Sequence, residues 1–152
     1  MQEMNGQIAL VTGAGRGIGS AIAKSLAKEG ATVIVNYAGN AQAAQDTVDS
    51  ILKDGGSAEK YQCDVSDFAA VEEMIKYVVQ KYEKIDILVN NAGISKFGLL
   101  MDMSLEEIND LVNTNLMGAI YLSKLAINNM MRNGGNIINI SSVWGEVGAS
   151  CE

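Results

Sequence analysis

The chain has no histidine among its 152 residues and only two cysteines. Without histidine, Ser-His-Asp triads and most zinc sites are excluded outright. Cys63 and Cys151 are too few and too far apart for a disulfide framework or a cysteine-based metal centre, so no metal is expected. Basic residues are also scarce: 11 Lys and Arg stand against 18 Asp and Glu, giving a net charge of −7 and a pI near 4.5. No basic stripe is available to neutralise phosphates, which argues against a nucleic-acid partner. No apolar run approaches the ~20 residues that span a bilayer. Residues 1–6 lack the charged and apolar regions of a signal peptide. A cytoplasmic protein with no membrane partner is expected.

What is present is a globular composition, 48% apolar and 19% charged, with enough residues for one domain and a real core. Strand and helix patterns alternate without a break in composition, so residues 1–152 are read as a single domain. Ile8–Val11 reads as a first strand and Thr32–Val35 as a second, entered through Gly30. Ala58–Cys63, Ile85–Val89 and Ile137–Ile140 read as strands three to five. Between them, Ile18, Ala21, Ile22, Ser25 and Leu26 recur at helical spacing. So do Ala44, Val48, Ile51 and Leu52, then Phe68, Val71, Ile75, Val78 and Tyr82. Ser66 is the expected N-cap of that third helix, with Asp67 in its first turn. Ser104-Leu105-Glu106-Glu107 is a capping box; its helix is expected to run to about Arg132 and close at Gly134-Gly135. Five strands joined by helical crossovers predict an α/β fold: a doubly wound parallel sheet in the order 3-2-1-4-5. A ligand then lies at the carboxyl ends of strands one and four, where the order reverses.

Thr12-Gly13-Ala14-Gly15-Arg16-Gly17-Ile18-Gly19 falls between the first strand and the first helix. Strand, glycine-rich turn and helix in that order make a Rossmann-type dinucleotide-binding unit. Glycine supplies positive φ and lets backbone amides approach a pyrophosphate, which then rests on the helix N-terminus. Gly13, Gly15, Gly17 and Ile18 are therefore candidate cofactor contacts, while Gly19 is assigned to close helix-on-strand packing.

Three further motifs follow in order: Asn90-Asn91-Ala92-Gly93 after strand four, Asn115 within the long helix, and Ser142 after strand five. Together they resemble the short-chain dehydrogenase/reductase family. The local wording, Val35-Asn36-Tyr37-Ala38-Gly39-Asn40, Cys63-Asp64-Val65 and Asn113-Thr114-Asn115-Leu116, is most similar to the bacterial 3-oxoacyl-[acyl-carrier-protein] reductases in it. The resemblance implies a carbonyl reductase using NADP(H), with a small-molecule or carrier-bound ketone as substrate and acyl carrier protein as a partner. By that resemblance Arg16 faces the 2′-phosphate of NADP, and the neutral pair Asn36-Tyr37 ends strand two without repelling it. No carboxylate stands there to bind a ribose 2′-hydroxyl, as NAD would require. Asp64 either caps the turn after strand three or meets the adenine amino group while Val65 packs on the ring. Asn90, Ala92 and Gly93 leave room for the cofactor ribose, and Asn91 serves hydrogen bonding at the sheet edge.

Asn115 lies on the Ile108-Leu111-Val112-Ala119 side of its helix and is expected to be buried against the sheet. The family's asparagine there holds a water in a proton relay. Ser142 is the expected hydrogen-bond donor to the substrate carbonyl oxygen, with Ser141 the competing choice. On the long helix, Leu116, Met117, Ile120, Ile127 and Met131 form a second apolar side, consistent with the tetramers common in the family. The family's Tyr-x-x-x-Lys pair follows the serine by roughly a dozen residues and so falls beyond Glu152. The 152 residues alone are therefore expected to be a C-terminally truncated, inactive part of a seven-stranded parent fold. A non-catalytic nucleotide-binding role, or reduction of a sugar, steroid or alcohol-type ketone, are the alternatives.

Overall fold

The computed structural model describes residues 3–148 and 151; Met1, Gln2 and Glu152, which entered the reading of the chain's ends, lie outside them. Five parallel strands, β1 (Ile8–Val11), β2 (Thr32–Tyr37), β3 (Ser57–Gln62), β4 (Ile87–Asn90) and β5 (Asn136–Asn139), form one sheet. Their order is β3-β2-β1-β4-β5, as expected. Helices α1 (Gly17–Lys28), α2 (Ala41–Lys53) and α3 (Phe68–Tyr82) make the first three crossovers. The fourth is one long helical run: α4 (Leu105–Val112), a π turn over Asn113–Met117, and α5 (Gly118–Asn133).

Strand alternation divides the core between the two faces of the sheet. Leu10, Ile34 and Leu88 join Val71, Met74, Val78 and Leu122 on the α3/α5 face. Ala9, Val11, Val33 and Val35 join Ala23, Ala27, Val48 and Ile51 on the α1/α2 face.

Several helical faces differ from the periodicity reading. In α1 the buried residues are Gly19, Ala23 and Ala27, while Ile18 is 65% exposed. Small residues face the sheet because they let the helix approach it closely, and a count of large apolar side chains misses them. In α2, Thr47 is buried and Leu52 is exposed. Helix α3 is capped by Asp67, whose Oδ1 accepts from the amides of Ala69 (2.8 Å) and Ala70 (3.2 Å), and not by Ser66. The capping box is present: Ser104 Oγ accepts from Glu107 N at 3.1 Å, and Glu107 Oε2 from Ser104 N at 3.0 Å. That bond, with the positive Lys96 nearby, holds the Glu107 carboxyl below the usual carboxylate range.

Candidate functional site

The β1–α1 turn is stitched to its neighbours by side chains bonded to backbone. Thr12, 1% exposed, donates from Oγ1 to Val89 O (3.2 Å) and accepts from the amides of Asn91 (2.9 Å) and Ala92 (3.0 Å). Asn91 answers with Nδ2, donating to Thr12 O at 2.9 Å, the sheet-edge role expected of it. On the other flank Asn36, also 1% exposed, accepts from Gly13 N at 3.3 Å and donates to Cys63 O at 3.0 Å. The amide of Ala14 donates to Asn36 O at 2.9 Å. Asn36 is thus a clamp between the turn and the end of β3, its amide group committed to backbone. The amide of Gly13 is committed too, so Gly13 contributes shape. Its φ is +60°, and a Cβ there would lie 2.9 Å from Ala92 Cα. At Gly19 a Cβ would lie 2.6 Å from Gly13 O, the close packing expected of that position.

The start of α1 is built differently from those of α2, α3 and α4. Asn40, Asp67 and Ser104 each cap their helices with a side-chain oxygen, whereas Arg16, at the N-cap of α1, provides no such bond. The first-turn amides of α1 therefore face outward with the positive end of the helix dipole. They open on a cleft of about 510 Å³ that runs over Gly13, Gly15, Arg16, Gly17 and Ile18. Its lining also includes Asn36, Tyr37 and Asn40, with Asp64 and Val65 beside them (Cys63 N donates to Tyr37 O at 2.9 Å), and Ala92 and Gly93 after β4. A bound anion is the partner such a helix end favours.

Asp64 behaves as the turn cap that one reading allowed: its Oδ1 accepts from Ser66 N (2.9 Å) and Ser66 Oγ (2.7 Å). Beside it the Cys63 thiol is pushed up to about 11, first by burial and then by the charges of Asp64 and Asp67. Val65 is buried, and α5 comes so near it that a Cβ on Gly118 would sit 2.8 Å from its Cγ2. Nothing in the sequence reading had marked Gly118 or Thr47.

A second cavity, of about 560 Å³, continues past Val65, Ala92 and Thr114 toward the end of β5. Asn90, expected to leave room for the cofactor ribose, lies in this wall. Its Nδ2 donates to Asn139 Oδ1 (2.8 Å) and Ser123 Oγ (3.1 Å), because the β4–β5 register sets Asn90 beside Asn139. Asn90 Oδ1 is buried and has no protein partner. Ser141 lines the cavity, while Ser142 Oγ accepts from Trp144 N at 3.3 Å and caps the 3-10 turn Val143–Gly145.

Asn115 departs from its expected burial. It is exposed, and its amide pairs with the backbone of Ile94: Oδ1 accepts from Ile94 N and Nδ2 donates to Ile94 O, both at 2.8 Å. The π turn explains the departure, since its extra residue rotates the helix face away from the 3.6-residue pattern; Val112 is exposed as well.

The profile of the family described as short chain dehydrogenase matches residues 7–152. The chain belongs to the short-chain dehydrogenase family. Among its relatives, the 3-oxoacyl-[acyl-carrier-protein] reductase of Synechocystis is 43% identical over 150 residues, covering 97% of this chain and 60% of that protein. The enzyme of the same name from Staphylococcus aureus is 47% identical over 141 residues, covering 92% and 57%. A solved metagenomic short-chain oxidoreductase in complex with NADP superposes with a TM-score of 0.94 at 36% identity, covering 97% of this chain and 67% of that one. The short-chain dehydrogenase chain thus spans less than two thirds of the curated relatives it matches.

One Tyr-x-x-x-Lys spacing does occur in this short-chain dehydrogenase sequence, at Tyr77 and Lys81. Both residues are on α3, where Lys81 Nζ donates to Tyr77 Oη at 3.0 Å and Tyr77 Oη donates to Glu59 Oε2 at 3.1 Å. Lys81 also pairs with Glu59, and these two bonds, Glu59 first, hold its ammonium above the usual lysine range. Glu59 is on β3, the opposite edge of the sheet from β5 and Ser141–Ser142. The pair packs the β3 edge and lines neither the cleft nor the second cavity.

Proposed function

We propose that this chain is the cofactor-binding part of an NADP(H)-dependent carbonyl reductase. One observation carries the reading: the α1 N-terminus, alone uncapped beside α2, α3 and α4, opens on the glycine-lined cleft. There the amides of the first turn would hold the pyrophosphate. Arg16, with Tyr37 and Asn40 at the same end of the cleft, would receive the 2′-phosphate. Asp64 is the one carboxylate among the described lining residues; it follows Cys63, whose amide donates to Tyr37 O at 2.9 Å, and so stands at that same end, where the adenine of the 2′-phosphorylated adenosine would lie. Bound there, the reduced nicotinamide supplies a hydride to a substrate carbonyl carbon. The second cavity would seat that carbonyl, with the hydroxyl of Ser142, or of Ser141 on the cavity wall, donating to its oxygen. Asn115 would hold the loop after β4 in place beside it.

The substrate favoured is a 3-oxoacyl thioester on acyl carrier protein, as in the names of the relatives at 43% and 47% identity. Exposed Leu116 on the π turn, with Ile120, Ile127 and Met131 on α5, supports association with further copies, as a tetramer in the whole protein. A cytoplasmic location belongs to the same reading; no helix among the described residues is long and apolar enough to cross a membrane. A second reading, binding without turnover by these 152 residues, is favoured by the place of Tyr77 and Lys81, the sheet's width away from the second cavity.

Titration of the chain with NADPH and NADH, followed by nucleotide fluorescence, tests the proposal. NADPH is expected to bind at least about tenfold tighter, and Arg16→Glu to erase the difference. Equal affinity for both, or none for either, refutes the cofactor assignment. Adding an acetoacetyl thioester then separates the two readings: oxidation of NADPH supports the reductase, and binding without oxidation supports the second.

A further inference from the structure

Thr47 sits on α2, outside every motif of the glycine turn, and is 3% exposed. Its hydroxyl touches three elements at once. Oγ1 lies 2.8 Å from Ser20 Oγ on α1, 3.1 Å from Gly15 O in the glycine turn and 3.2 Å from Ala43 O one turn back in α2. A hydroxyl has one proton to donate. With that proton directed to the carbonyls, the contact to Ser20 must run the other way, so the chain reads Ser20 O–H to Thr47 O–H to Gly15 O. Hydrogen bonds in such a chain polarise and strengthen one another. Gly15 is pressed against the same helix: a Cβ there would lie 3.2 Å from Ala44 N.

The consequence follows from peptide geometry. In a trans peptide the C=O and the next N–H point in opposite directions. A Gly15 carbonyl held toward α2 therefore turns the Arg16 N–H away from it, to the side on which Gly15 and Arg16 line the cleft. We infer that Thr47 is a positioning residue for the cofactor pyrophosphate, acting through the Gly15–Arg16 peptide and touching no ligand itself. The inference rests on the dinucleotide reading of the cleft and adds to it a residue that the glycine motif does not contain.

The test compares NADP with adenosine 2′-monophosphate, which shares the adenosine end and lacks the pyrophosphate, by calorimetric titration of the 152-residue chain. Thr47→Val keeps the shape and removes the hydrogen bonds. It is expected to weaken NADP binding about tenfold, the scale of one lost buried hydrogen bond, and to leave adenosine 2′-monophosphate within about twofold. Thr47→Ser restores the hydroxyl and is expected to bind both as the parent does. Ser20→Ala removes only the donor into Thr47 and is expected to weaken NADP about threefold; it carries the test if Thr47→Val does not fold. Unchanged NADP affinity in these variants overturns the inference, as does an equal loss for both nucleotides, which marks a general loosening of the cleft. A parent chain that binds neither nucleotide overturns the dinucleotide reading itself.

Discussion

Replacing Thr12 by valine removes one oxygen and leaves the shape of the side chain intact, so the hydrogen bonds at that oxygen can be weighed without a cavity. Three bonds are lost. The donation to Val89 O matters little, because that carbonyl also accepts from Thr12 N at 3.0 Å. The amides of Asn91 and Ala92 are the real loss, since both point at Oγ1. Each orphaned amide costs about 1–3 kcal/mol when buried. Asn91 and Ala92 are half-buried, which puts the expected cost at the low end, about 2–3 kcal/mol together. For a chain of this length that lowers Tm by about 5–10 °C. Thr12→Ser keeps the oxygen and loses a buried methyl, worth about 1 kcal/mol. Urea and thermal unfolding of the three proteins should therefore rank them parent, serine, valine, whereas an order set by hydrophobicity would put valine first. Amide shifts of Asn91 and Ala92 should move upfield in the valine variant alone. A valine variant as stable as the serine one would refute the reasoning, because water would then be replacing the hydroxyl without cost.

Three other substitutions probe the surroundings of the site. Asn36→Asp turns a carboxyl oxygen toward Cys63 O, where Nδ2 now donates at 3.0 Å; the protonated acid can still donate and the carboxylate cannot. The folded state then binds the proton more tightly than the unfolded one, so the stability deficit relative to the parent should grow as pH rises from 4 to 7, by about 1.4 kcal/mol per unit of raised pKa; a deficit flat across that range refutes the assignment. Cys63, raised to about 11 by burial, contributes stability that is complete below the unfolded thiol's pKa and lost as pH climbs toward 11. Cys63→Ala should accordingly lose less stability than the parent between pH 9 and 11, and equal losses would count against the raised pKa. Gly118→Ala gains about 1 kcal/mol of helix propensity but drives a methyl to 2.8 Å from Val65 Cγ2, a strain of about 1–3 kcal/mol; net destabilisation in urea is expected, and a more stable variant would show that Val65 yields freely.

The sheet was legible because β1, β2 and β4 are runs rich in Val, Ile and Leu and its glycine turn has a fixed spacing, while β3, Ser57–Gln62, is far less apolar. The order of strands followed from the crossover rules, and the capping box at Ser104 announced itself in four residues. What escaped was set by contacts between distant segments. Ala23 and Ala27 carry no hydrophobic signal of their own, yet their smallness is what brings α1 onto the sheet. Asn36 read as a neutral strand end suited to a phosphate, and its buried clamp on Gly13 and Cys63 appears only once β2 lies between them. The pairing of Asn90 with Asn139 is set by strand register, which is invisible in one sequence. The π turn has no sequence signature, so Asn115 was phased as though the helix were regular. Tyr77 and Lys81 teach the opposite lesson, that a spacing recognised in one place means nothing chemical in another.

That π turn also fixes where the molecule gives way first. Helix α4 on one side of it buries no residue, while α5 on the other buries Gly118, Leu122, Ala126 and Met130. The two are joined through the π turn, so α4 is expected to open locally while α5 stays docked. Asn115 ties the junction to Ile94, and Thr114 beside it lines both the cleft and the second cavity. The amides over 105–112 are therefore expected to exchange with solvent ahead of those over 119–130, which native-state hydrogen exchange checks.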